Sequence, residues 1–131
     1  MANPNLAIAD QFVAAVFAGD QATLRTLIDD NFLLKQDKNL PYGGEYRGAD
    51  GFFTFLEAFG QAYEIEALEK TGTFVSNDDP NIIVFEFSFR GKLAESGIAF
   101  NTTMLEPWTF RNGKVIAITP HWFEVPGTVR A

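Results

Sequence analysis

The feature that most constrains this chain is a change of hydrophobic period about halfway along it. Up to about residue 63 the apolar residues recur at helical spacing, and beyond it they alternate with polar ones. Helices gathered before strands build a segregated α+β domain, because a parallel sheet needs its helices interleaved between the strands. In the first half, Pro4 suits a first helical turn, and Leu6, Ala9, Val13, Val16 and Phe17 share a face before Gly19, which predicts a helix over about 4–18. Asp20 is a good N-cap for a second, short helix carrying Leu24, Leu27 and Ile28. A strand over Phe32 to Gln36 and a glycine-rich loop over Pro41 to Gly48 lead into a third helix from about Asp50 to Tyr63, with Phe52, Phe53, Leu56 and Phe59 as its apolar stripe. In the second half, alternating segments near 64–75, 82–91, 98–110 and 114–124 are separated by Asn77 to Pro80, Gly91 to Gly97 and Asn112-Gly113. They read as a meander of long antiparallel strands.

With 131 residues the chain is expected to form a single domain over 1–131, large enough to bury its own core without a staple. Fourteen phenylalanines make aromatic area the main core or pocket material. A net charge of −7 argues against a nucleic-acid partner, whose phosphates call for clustered Lys and Arg. No apolar run is long enough to span a membrane. The chain has no cysteine, and its start lacks the basic-then-apolar layout of a signal peptide, so the expectation is a cytoplasmic protein. With no cysteine and one histidine, and with its glycines outside any nucleotide-loop spacing, the sequence implies no metal and no cofactor.

Three segments carry a resemblance. Phe12 to Asp20 (Phe-Val-Ala-Ala-Val-Phe-Ala-Gly-Asp), Gly44-Glu-Tyr-Arg-Gly48 followed by Phe52 to Leu56, and Trp108 to Val115 leading to Trp122-Phe-Glu124 are similar, in order and spacing, to the SnoaL-like and ketosteroid isomerase-like proteins of the nuclear transport factor two-like superfamily. The resemblance covers nearly the whole chain. It implies a cone-shaped curved antiparallel β-sheet of about five to six strands, with three N-terminal helices enclosing a pocket for a small apolar ligand or substrate, and a homodimer formed through the sheet. It does not imply one activity, since the superfamily holds isomerases, cyclases, dehydratases and non-catalytic binders.

Isomerase-like relatives use a carboxylate on the first strand as base, with a Tyr on the first helix and an Asp on a later strand, kept protonated by its apolar site, holding the enolate oxygen. A gapless comparison puts Phe12 at the Tyr position, Lys35 at the base and Glu106 at the third acid. Classical ketosteroid isomerisation is therefore not expected. If Glu106 faces inward, period two brings Thr102, Met104 and Trp108 to the same face, and a matching register adds Phe85, Phe87 and Phe89. Such surroundings raise a carboxyl's pKa and suit it to acid–base work, while pairing with Lys35 would do the opposite.

Lys35 is a candidate amine base if desolvated, and otherwise a surface lysine. His121 is the only histidine; counting from Gly113 sends it outward with Trp122 inward, whereas a bulge at Pro120 would reverse the two. Tyr46, on the glycine-rich loop, is a candidate to close the mouth of the cone or to donate to a ligand. The candidate proton-handling residues are thus Glu106, His121 and Lys35. The candidate lining residues are Phe12, Phe85, Phe87, Phe89, Met104, Trp108, Trp122 and Tyr46. The expected function is cofactor-free isomerisation, cyclisation or dehydration of a small apolar compound; the alternative is its binding without catalysis, or an accessory protein-interaction domain of the same fold.

Overall fold

The first two helices open where a side-chain cap dictates, and the third has none. In the computed structural model, which describes residues 3–127, helix α1 (Pro4–Ala18) opens on Asn3, whose side chain accepts from the Asn5 N–H, and closes on Gly19 in the left-handed region. Asp20 caps α2 (Gln21–Leu27) by accepting from both the N–H and the hydroxyl of Thr23. Strand β1 (Ile28–Gln36) begins four residues earlier than Phe32, directly at the end of α2. After β2 (Gly44–Arg47) comes α3 (Gly48–Ala62), followed without a loop by β3 (Tyr63–Val75). Strands β4 (Ile82–Leu93), β5 (Ala99–Arg111), β6 (Lys114–Ile118) and β7 (His121–Trp122) complete the chain. Asn112 and Gly113, both at positive φ, form the tight turn between β5 and β6.

The strands form one curved, unclosed sheet in the order β2-β1-β6-β5-β4-β3, with β7 pairing β5 where β6 has ended. Among the described residues it has seven strands rather than five or six, and it is mixed rather than wholly antiparallel, because β1 runs parallel to β6. That pairing joins the two ends of the chain, so no local turn signal announces it. The long single segment expected over 114–124 is split at Thr119-Pro120: Pro120 has no N–H to give a ladder, and β6 stops just before it. Register shifts at Ile65/Ala67 and Lys70/Gly72 bend the edge strand β3. Gly91 lies against the Glu64 carbonyl at the first of these, where any Cβ would collide with it.

The inner face of the sheet carries Ile83, Phe85, Phe87 and Phe89 of β4 opposite Trp108, Glu106, Met104 and Thr102 of β5. This is the register the alternation predicts. Phe12 of α1 and Phe52 of α3 pack on that face, Phe12 against both Phe52 and Trp108. Aromatic rings thus knit helices to sheet, and their large buried area supplies most of the core.

Candidate functional site

Between α1, α3 and the inner face of the sheet lies a cavity of about 340 Å³. Phe12, Val13 and Val16 of α1 and Phe52, Phe55, Leu56 and Phe59 of α3 form its helical walls. Leu34, Gln36, Leu68, Phe87, Met104, Glu106, Trp108, Ile118, Pro120 and Trp122 form the sheet side. The exposed liners Phe17, Gly60 and Ile65 rim its opening, at the C-terminal ends of α1 and α3 and the start of β3. The volume suits a small organic molecule, and the wall is almost wholly apolar.

Among the described residues, Glu106 is the one ionisable side chain in this wall. It stands directly across from Phe85 in the β4–β5 ladder, and its Oε1 accepts from the Trp108 indole N–H at 3.1 Å. Burial pushes its carboxyl up to about 7, and the Trp108 hydrogen bond only partly opposes that rise. Near neutral pH the group therefore holds both protonation states in comparable amounts, the condition under which one carboxyl serves as acid and as base. Nearby, the Tyr42 and Tyr63 hydroxyls meet at 2.7 Å in the core. Burial raises both phenols; for Tyr42 the bond to Tyr63 and electrostatic repulsion from Tyr63, Tyr46 and Glu106 add to the rise, whereas for Tyr63 the same bond opposes it. Both stay neutral and act as structural hydrogen-bonding groups.

The expected site residues divide into two sets. Phe12, Phe87, Met104, Glu106, Trp108 and Trp122 meet in the cavity wall. Lys35 does not: Phe32, Leu34 and Gln36 are the buried residues of β1, so the intervening Lys35 faces solvent on the outer side. His121 is also exposed, since the alternation Ile118, Pro120, Trp122 continues inward across the break and leaves His121 outside, paired with Leu105. Phe85 and Phe89 point inward but lie deeper than the cavity. Phe85 is enclosed by Trp108 and by the Lys70 ammonium 5.2 Å from its ring centre, and Phe89 by Phe59, Tyr63, Phe100 and Trp122. Tyr46 does not close the mouth either; its ring packs on Phe55 and its hydroxyl donates to the Tyr42 carbonyl, fixing the glycine-rich loop.

One polar wall residue lies outside the expected set. Gln36 is 7% exposed, lines the cavity, and its Oε1 has no hydrogen-bond partner. The Trp122 Nε1–H is buried in the same wall and also unpartnered. Buried polar atoms left in this way are uncommon and costly, by roughly 1–3 kcal/mol each. The sequence signal for Gln36 was the alternation itself: the phase that buries Phe32 and Leu34 also buries Gln36.

The matches to known proteins agree with this architecture. An NTF2-like protein from Burkholderia xenovorans superposes with a TM-score of 0.79 at 19% identity, covering 93% of this chain and 91% of that one. Another, from Burkholderia thailandensis, gives 0.78 at 17% identity over 93% and 92%. TerC, co-crystallised with polyporic acid, gives 0.76 at 15% identity over 91% of each chain. At these identities the likeness is one of fold. No curated protein matches the chain significantly. The model of the SnoaL-like domain matches residues 9–118, from within α1 to the end of β6, and the chain belongs to the SnoaL-like family.

Proposed function

We propose that the cavity binds a small apolar carbonyl compound and that Glu106 moves a proton on it without a cofactor. The observation that carries this reading is the position of Glu106: an isolated carboxyl in an aromatic wall, balanced between its two protonation states near neutral pH. In its carboxylate form it takes a hydrogen from the carbon next to the carbonyl as a proton. The C–H electron pair passes into the enolate, and an O–H bond forms on Glu106. Return of that proton to a different carbon, or to the oxygen, completes an isomerisation, and the carboxylate is regenerated. That TerC, a fold neighbour, was co-crystallised with polyporic acid supports reading this cavity as a small-molecule site.

A second reading, binding without catalysis, is favoured by the outward positions of Lys35 and His121, which leave Glu106 with no titratable partner in the wall. Exchange of the α-hydrogens of α-tetralone in D₂O, followed by NMR, separates the two. The acid–base reading predicts that the protein accelerates exchange over buffer and that Glu106→Gln returns it to the buffer rate. Tetralone that binds and exchanges no faster than in buffer would leave the binding module.

The reading includes a homodimer through the outer face of the sheet. Leu105 of β5 is 45% exposed and Phe123, just past the end of β7, is 78% exposed, with the Phe123 N–H bonding the Thr103 carbonyl. Covering this patch would remove large apolar surface from water.

A further inference from the structure

The three polar groups of the wall are not scattered. In the sheet, β6 separates β1 from β5, with Leu34 beside Ile118 and Ile118 beside Trp108. Two residues further on, the same row brings Gln36, Pro120 and Glu106 side by side, and Trp122 enters one row beyond, opposite Met104. With strands about 4.8 Å apart, the Gln36 and Glu106 backbones stand about 10 Å from each other across Pro120, their side chains on the same concave face. The polar end of the cavity is thus the corner where β6 breaks off, and the rest of the wall is hydrocarbon and aromatic ring.

These groups differ in what they need. Gln36 Oε1 is an acceptor without a donor, and Trp122 Nε1–H is a donor without an acceptor. Both atoms are covered by their neighbours, so a ligand reaches them only by rotation about the last torsion of Gln36 and of Trp122, each of which has a broad minimum. Among the described residues the wall holds no Lys, Arg or His. An anion entering it would find no countercharge and would face the Glu106 carboxylate. A cation would demand full ionisation of Glu106 in an apolar setting and would leave the Trp122 donor unmatched.

Resting on the binding role just described, we propose that the cavity selects uncharged ring compounds that carry both a hydroxyl and a carbonyl, the hydroxyl donating to Gln36 Oε1 and the carbonyl accepting from the Trp122 indole N–H, next to the Glu106 carboxyl. Substrate selection then comes from matching two orphaned polar atoms, and the aromatic wall sets only size and shape.

Calorimetric titration of the whole chain with a tetralin series tests this. The series is tetralin, α-tetralone, tetrahydronaphthol, 7-hydroxy-1-tetralone, a tetralone carboxylic acid and an aminotetralin. The hydroxytetralone should bind about tenfold more tightly than either compound with one oxygen, about the effect of one good hydrogen bond. Gln36→Leu should abolish the gain from the hydroxyl, so that the hydroxytetralone binds that variant no more tightly than tetralone does, and Trp122→Phe should remove the gain from the carbonyl. Equal affinities across the neutral series, or tightest binding of the acid or the amine, would overturn the selectivity while leaving a binding cavity. Failure of every compound to bind would instead remove the binding role itself. If Gln36→Leu does not fold, the ranking on the wild-type chain decides.

Discussion

Replacing Glu106 with Gln tests the electrostatics of the cavity through stability alone. A carboxyl lifted from 4.5 to about 7 in the folded state resists ionisation there but not in the unfolded chain. Below pH 4.5 both states hold the proton, and the group contributes nothing to the pH dependence. As pH rises from there toward 7, the unfolded chain ionises first, and the folded state loses stability relative to it. Above about 7 the loss is complete and levels off at about 3 kcal/mol. Glu106→Gln removes the charge and keeps an oxygen that accepts from Trp108. The variant should therefore match the wild type at pH 4 and exceed it at pH 8 by about 3 kcal/mol, or roughly 10 °C in melting temperature. Thermal melts of both proteins from pH 4 to pH 8 read this directly. Curves that run parallel at every pH would mean that Glu106 titrates as in water. A wild type that gains on the variant as pH rises would mean an ionised, paired carboxylate. Either result would refute the reasoning.

Two further outcomes follow from depth and exposure. Phe89→Ala, at a ring with 0% exposure and aromatic neighbours on several sides, should cost about 3–5 kcal/mol by chemical denaturation, and Phe87→Ala clearly less, because Phe87 already borders open space. Light scattering at micromolar concentration should give a dimer mass that Leu105→Asp or Phe123→Asp reduces to the monomer; a wild-type monomer would remove the outer face of the sheet as an interface.

Much of the architecture was legible because it is written in local periods. The shift from helical to alternating spacing placed the helices and long strands, and Asn112-Gly113 fixed the β5–β6 turn. The alternation also put Met104 and Trp108 on the face of Glu106, though it left open whether that face is the inner one, as the structure has it. What escaped was non-local or a matter of depth. The parallel β1–β6 pairing joins segments roughly eighty residues apart, which no local pattern encodes. Lys35 was a candidate only through the gapless comparison with isomerase-like relatives, and because Phe32, Leu33 and Leu34 are all apolar the phase of β1, which buries Gln36 and exposes Lys35, was not plain from the sequence. His121 turned on whether Pro120 inserts an extra residue, and the chain keeps its alternation there. Period two also separates inside from outside without separating core from cavity wall, which is why Phe85 and Phe89 looked like lining.

The claim on which the rest depends is that the cavity beside Glu106 is where a small molecule sits. Isotope-filtered nuclear Overhauser measurements on the labelled protein with α-tetralone test it most directly. The account predicts contacts from the tetralone ring to the methyl groups of Leu34, Met104 and Ile118, which share the inner wall, with the same contacts in Lys35→Ala and His121→Ala. Contacts confined to Leu105 and the outer face, or no contacts at all, would contradict it.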